Sequence, residues 1–127
     1  MAKKKKRLDS IEVMGEIYQI SYRSEEEDPG LEGCLGYCDK YQKLIVIDSS
    51  DEDDVIEMSR ECGEQWGDSY DKLQKKVLRH ELTHAFITEC GLSESSQGQW
   101  ACNEEVVDFL AINATKLVKL FEKAGAL

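Results

Sequence analysis

The sequence predicts an α+β fold: a small antiparallel or mixed β-sheet packed against about three helices. Three observations predict it. Residues 11–48 hold β-branched and aromatic residues in alternating or continuous runs between turn residues. Residues 70–123 hold two helix-length segments whose apolar positions recur every three or four residues. A chain of 127 residues, 41% hydrophobic and 33% charged, has enough material for one domain with a single modest core.

Residues 1–10, with Lys-Lys-Lys-Lys-Arg at 3–7, read as a basic disordered arm ahead of a single domain at 11–127. The pattern from Ile11 to Tyr22 alternates in two halves around Gly15, as a strand or tight hairpin does. Ser24 to Gly30 is an acidic turn holding the chain's one proline. Gly33 to Asp48 reads as a second pair of strands, and the run Leu44-Ile45-Val46-Ile47 suits a strand buried on both faces. Ser49 to Asp54 offers cap residues and first-turn carboxylates for a helix from about Asp51 to Cys62. Asp68 or Ser69 can cap a longer helix running to about Cys90, which Gly91 ends. Gly91 to Gln99 reads as a flexible polar rim, and Trp100 as either packed on the core or closing the site. The last helix, Ala101 to Lys123, carries an apolar stripe expected to be buried: Val107, Leu110, Ala111, Ala114, Leu117, Val118 and Phe121.

The longer helix contains His80-Glu81-Leu82-Thr83-His84. Residues four apart on a helix share a face, so both histidines can direct a ring nitrogen at one metal ion, with Glu81 beside it. A carboxylate there can take a proton from the attacking water and deliver it to a leaving amine. The same three residues are also compatible with a solvated helix face, but the chain holds only two histidines and both are in this motif. Leu73, Val77, Leu78, Leu82, Ala85 and Phe86 supply an apolar surface on that helix to bury the site. A catalytic zinc takes three protein ligands, and with no third histidine the remaining one must be a carboxylate or a thiolate. Glu104 opens the last helix. Asp108, four residues on, shares its face and can accept a hydrogen bond from a histidine nitrogen that does not bind metal. Acidic residues in a first helical turn also favour the macrodipole, which is reason enough for Glu105.

His80-Glu81-Leu82-Thr83-His84 followed by Asn103-Glu104-x-x-x-Asp108 resembles the gluzincin zinc peptidases, the class of thermolysin. The short spacing is closest in style to the minigluzincins and to ImmA/IrrE-like domains of phages and mobile elements, with a likeness of layout over roughly residues 35–115. The resemblance implies a zincin-like minimal domain in which His80, His84 and Glu104 bind Zn2+, Glu81 is the catalytic acid/base, and Asp108 orients a ligand. It implies a zinc metallopeptidase acting on a peptide or protein substrate. Larger gluzincins add a histidine and a tyrosine that stabilise the oxyanion. No spare histidine exists here, leaving Tyr37, Tyr41, Tyr70 and Arg79 as candidates.

Charge and cysteine content narrow the partners. Setting the five positive charges of residues 3–7 apart from the formal net of −10 leaves −15 on the remainder, a body that phosphate backbones repel. Nucleic acid is excluded as the expected partner, and a basic peptide or protein is favoured. No apolar run approaches a membrane span, and no secretory signal pattern opens the chain. Five cysteines, an odd number without scaffold spacing, predict reduced thiols and a cytoplasmic protein. Cys34 and Cys38 lack a second ligand pair for a structural zinc. The segment Leu35 to Asp39 is expected at the sheet edge beside the site, where an extended substrate can add as a strand. Two alternatives stay open: a zinc-stabilised binding module without turnover, and a regulatory factor of phage or mobile-element type that acts on one specific protein. The oligomeric state is not fixed by the sequence.

Overall fold

The computed structural model describes residues 7–49 and 70–127. Strand β1 (Ser10–Val13) turns back into β2 (Glu16–Arg23) through Met14 and Gly15, whose φ values are 48° and 91°. Two consecutive left-handed residues make a turn whose twist matches that of the strands, and Val13 faces Glu16 directly across it. Tyr18 and Ile20, two apart, are buried while Ile17 is exposed, so the alternation assigns the faces as the sequence predicts.

Strands β3 (Gly36–Asp39) and β4 (Leu44–Asp48) form the second hairpin. The sheet order is β1-β2-β4-β3, with β2 and β4 parallel and both outer pairs antiparallel. The fold is therefore α+β with a mixed sheet. Strand β4 is central, and four of its five residues are buried, which accounts for its unbroken apolar run. Strand β3 is an edge, as expected for Leu35 to Asp39.

Helix α1 (Tyr70–Glu89) lies across the sheet. Leu73, Val77 and Ala85 pack on Tyr18, Ile20, Ile45 and Ile47 in the main core. Its far end is pinned by Glu89, which accepts hydrogen bonds from the buried Tyr18 hydroxyl at 2.7 Å and from Lys43 at 2.5 Å. A second, smaller core joins Ile87 to Ala101 and Val107. That cluster ties α1 to α3 (Glu104–Lys123) through the short helix α2 (Leu92–Ser95) and a 3-10 segment at Gln97–Cys102.

Several expectations are corrected here. The last helix begins at Glu104 rather than Ala101, because Gly98 and Gln99 adopt left-handed backbone (φ 68° and 56°) and Asn103 caps the helix, its side chain accepting from Glu105 N at 2.8 Å. The connection from Gly91 to Gln99 is folded into α2 and the 3-10 segment rather than an open rim. Trp100 is 49% exposed, so it does not pack into the core. The stripe on the last helix is buried only at Val107, and Leu117, Val118 and Phe121 lie exposed because the helix runs on past the surface that α1 offers. The expected helix from Asp51 to Cys62 and the caps Asp68 and Ser69 lie outside the described residues, as do residues 1–6 of the arm. Arg7, expected in that arm, stacks over the Tyr22 ring at 4.1 Å and donates to Gln74 at 2.5 Å. Among the described residues no helix is long and apolar enough to cross a membrane.

Candidate metal centre

Glu81 stands in register with Val77 and Ala85, one turn below and above it, and those two residues point into the main core. A carboxylate in that row is an anomaly that amphipathic patterning does not produce by itself, since an unpaired buried charge costs several kcal/mol. Glu81 is only 5% exposed. Its carboxyl is pushed up to about 7, chiefly by burial, with the His80 charge pulling it down and Glu104 and Asp108 adding to the rise.

Room for this side chain comes from the edge strand. A Cβ on Gly36 would stand 2.8 Å from the Val46 carbonyl oxygen and from Val77 Cγ1, and 3.5 Å from Glu81 Cγ. Only a residue without a side chain lets β3 close onto α1 at this level. Gly36 lies in the segment expected at the sheet edge beside the site, and a glycine inside a strand pattern is the sequence's signal for such a close approach.

His80 and His84 lie one position round the helix from the core row, facing the start of α3. Their ring centroids are 4.9 Å apart. Helix α3 brings Glu104 to both: its carboxylate is 2.7 Å from His80 Nε2 and 3.2 Å from His84 Nε2. Asp108, one turn along, takes His80 Nδ1 at 2.6 Å. The helical spacing of four therefore delivers two carboxylates to two different nitrogens of the same ring. Burial lowers the His80 pKa, but the Asp108 hydrogen bond and the charges of Glu81, Asp108 and Glu104 outweigh it and raise the net value.

His80, Glu81 and His84 offer ligand atoms that all lie within 4.8 Å of one another. Two carboxylates compete for the place beside the histidines. Glu81 Oε1 stands 3.8 Å from His80 Nε2 and Glu104 Oε2 only 2.7 Å, so Glu104 is the closer. With its Nδ1 proton donated to Asp108, a neutral His80 turns a bare lone pair toward the Glu104 oxygens, and a lone pair against a carboxylate at that distance is repulsive unless a proton or cation lies between. Ligand atoms held about 2.0–2.1 Å from a small tetrahedral ion stand about 3.4 Å apart. The Glu104 oxygens stand 2.7 Å and 3.2 Å from the two Nε2 atoms, within about 0.7 Å of that separation, and imidazole plus carboxylate is a donor set that zinc accepts. The residues fit such an ion.

These groups open into a cavity of about 640 Å³ walled on one side by residues 33–38 and on the other by Ser93, Ala101 and Cys102. Cys34 and Cys38 line it as free thiols. Burial and the Glu81 charge push Cys38 up to about 12, and burial raises Cys34 as well. Of the oxyanion candidates whose side chains are described, Tyr37 alone lines the cavity, and its hydroxyl donates to Asp28 at 2.5 Å. Tyr41 is 85% exposed and Arg79 is exposed, while the Tyr70 side chain lies outside what is described. Comparison with protein families, with curated proteins and with solved structures finds no match to this chain.

Proposed function

We propose that this protein is a zinc-dependent endopeptidase of minimal gluzincin type with a narrow protein substrate, in which His80, His84 and Glu104 hold the ion and Glu81 is the general acid/base. The observation that carries the reading is the convergence of both histidine Nε2 atoms on Glu104, with the buried Glu81 alongside. Zinc, when bound, supplies Lewis-acid polarisation of a carbonyl and acidifies water to near neutral pH.

The chain's own residues supply the rest. Glu81, buried beside the two histidines, accepts a proton at its carboxylate and returns it to the departing nitrogen. Asp108 fixes the His80 ring and tautomer by accepting its Nδ1 proton. Strand β3 pairs with β4 along one side, and with no further strand beside it among the described residues its other side can take an extended peptide as an added strand. The formal charge of −10 favours a basic segment in that place, in the cytoplasm, rather than nucleic acid.

A second reading is favoured by one observation: Tyr37, the one candidate oxyanion donor in the cavity wall among the described side chains, already gives its hydroxyl to Asp28. On that reading the chain is a zinc-holding regulatory or interaction module of phage-related type with little generic proteolysis. Elemental analysis of purified wild type, His84→Ala and Glu104→Ala tests the shared premise. About one zinc per chain in wild type and none in either variant is expected; metal content indifferent to Glu104 sinks both readings. Glu81→Gln then separates them. It is expected to keep zinc and lose cleavage of the cellular substrate by a factor of about 10² to 10⁴, and an unchanged biological output leaves only the module.

A further inference from the structure

The cavity beside the metal-binding groups lies between two walls of unequal firmness. On one side, strand β3 is paired to β4 along its length. On the other, the chain passes from the end of α1 through Gly91 (φ 80°), helix α2 and Gly98 (φ 68°) to the start of α3. Ile87 before this stretch and Ala101 after it are buried in the smaller core, but none of residues 91–100 is buried. A segment with no buried apolar side chain of its own opens locally at little cost. The hydroxyls of Ser93 and Ser96 point the same way: both oxygens are closed off from solvent, and neither finds a hydrogen-bond partner among the described residues. A hydroxyl held dry and unpaired opposes the arrangement that buries it, and opening returns it to water.

One ion pair ties this segment to the opposite wall. Lys40, just past the end of β3, lines the cavity and places Nζ 3.2 Å from Glu94 Oε1 on α2. The pair thus reaches across the cavity at its Lys40 end. The segment's backbone bonds close on itself: the amides of Glu94 and Ser95 and the Ser95 hydroxyl all turn back to the Gly91 carbonyl oxygen, and the Ser96 amide to that of Leu92. A thiol contact from Cys102 to the Ser93 carbonyl oxygen, at 3.9 Å, is weak and comes from the same wall. Gly91 and Gly98 mark where the segment can turn, since nothing lies within 4 Å of where a Cβ on either would stand. An exposed ion pair shifts an equilibrium by a factor of only about two to five. The closed cavity, about 640 Å³, takes a body of small-molecule size. An extended chain laid along the whole of β3 runs past Asp39 and meets the Lys40–Glu94 pair.

We propose that residues 92–97 are a flap over the cavity, latched by the Lys40–Glu94 ion pair and turning at Gly91 and Gly98, which opens to admit a chain longer than the closed cavity holds. What it admits rests on the peptidase reading; the flap itself does not. Hydrogen exchange of the full chain, followed by mass spectrometry, reads the opening. Labelling of Cys38 by N-ethylmaleimide reads access to the cavity, because that thiol lines the opposite wall two residues before Lys40. Circular dichroism confirms that each variant is folded. In wild type, residues 92–97 are expected to exchange at least about tenfold faster than the middle of α1. Glu94→Gln is expected to speed both that exchange and Cys38 labelling by about two- to fivefold. The paired reversal, Lys40→Glu with Glu94→Lys, is expected to return both rates to within about twofold of wild type, which a role of either residue outside the pair would not allow. Exchange over 92–97 as slow as in α1 overturns the flap. Rates indifferent to Glu94→Gln, or not restored by the reversal, overturn the latch, and exchange that rises without Cys38 labelling overturns the cover over the cavity. Neither measurement uses metal or turnover, so a chain that holds no zinc can still pass, and a failed flap leaves the metal content of wild type and its variants to decide the peptidase reading.

Discussion

Helices α1 and α3 are each twenty residues long, and the more polar of the two is the better buried. Helix α1 is mostly charged and polar, yet it places Leu73, Val77, Ala85 and Ile87 in the interior; α3 is rich in Leu, Val and Phe, yet it buries Val107 alone. The difference lies in what each helix faces. Helix α1 sits over a sheet four strands wide, and every apolar residue on one side finds a partner. Among the described residues helix α3 has only the flank of α1 and the 3-10 segment before it, and its second half extends past both. Composition sets how much a helix has to bury, while the neighbouring surface sets how much it does.

Substitutions on the two sides of this contrast sharpen it. The largest effect is expected from Ile47→Ala, a fully buried residue under α1, at about 3–4 kcal/mol in denaturant unfolding; a loss below about 1 kcal/mol would mean that α1 does not seat on the sheet as described. Next comes Glu81, the charge set into the packed row. Its carboxyl holds a proton up to about pH 7 in the folded chain against 4.5 for the free group, so over that window the unfolded state binds fewer protons and stability falls as pH rises. His80, with its pKa also raised, loses its proton late in the folded state and acts in the same direction. Metal-free protein is therefore expected to lose about 3 kcal/mol between pH 4.5 and pH 7, and Glu81→Gln to remove most of that slope. Thermal unfolding of chelator-treated protein across that range measures it, and a slope that survives in Glu81→Gln assigns the effect elsewhere. Asp108→Ala, where the two helices meet, is expected to weaken zinc affinity by about 10- to 100-fold in competition titrations. The smallest effect belongs to α3: Leu117→Ala, at an exposed position, is expected to cost no more than about 0.5 kcal/mol in denaturant unfolding.

What could be read from the sequence follows the reach of each signal. The hairpins were legible because alternation and a turn near Gly15 are local. That His80, Glu81 and His84 would stand together was legible because a helix brings residues at that spacing close to one another, and the same rule set Glu104 and Asp108 one turn apart on the next helix. Which nitrogen each carboxylate would take was not legible, since it depends on how α3 lies against α1. The parallel pairing of β2 with β4 left no mark either, because alternation tells which way a side chain points and not which strand lies beside it. Burial of the α3 stripe was misjudged for the same reason: periodicity shows that a face wants cover, and only the packed neighbours show whether it has any. Trp100 failed differently, held at the surface by the left-handed turn at Gly98 and Gln99.

The sheet order carries a consequence for how the chain assembles. Each antiparallel pair joins strands adjacent in sequence, through loops of two and four residues that close in microseconds. The seam between β2 and β4 is the one non-local join in the sheet. All four strands precede α1, so during synthesis the platform leaves the ribosome first and the helix bearing both histidines arrives on a surface already formed. Glu104, the proposed third ligand, comes last, with α3. On that reading ion capture would be a late step in folding, and depleting the metal would leave the sheet intact while loosening the attachment of the final helix.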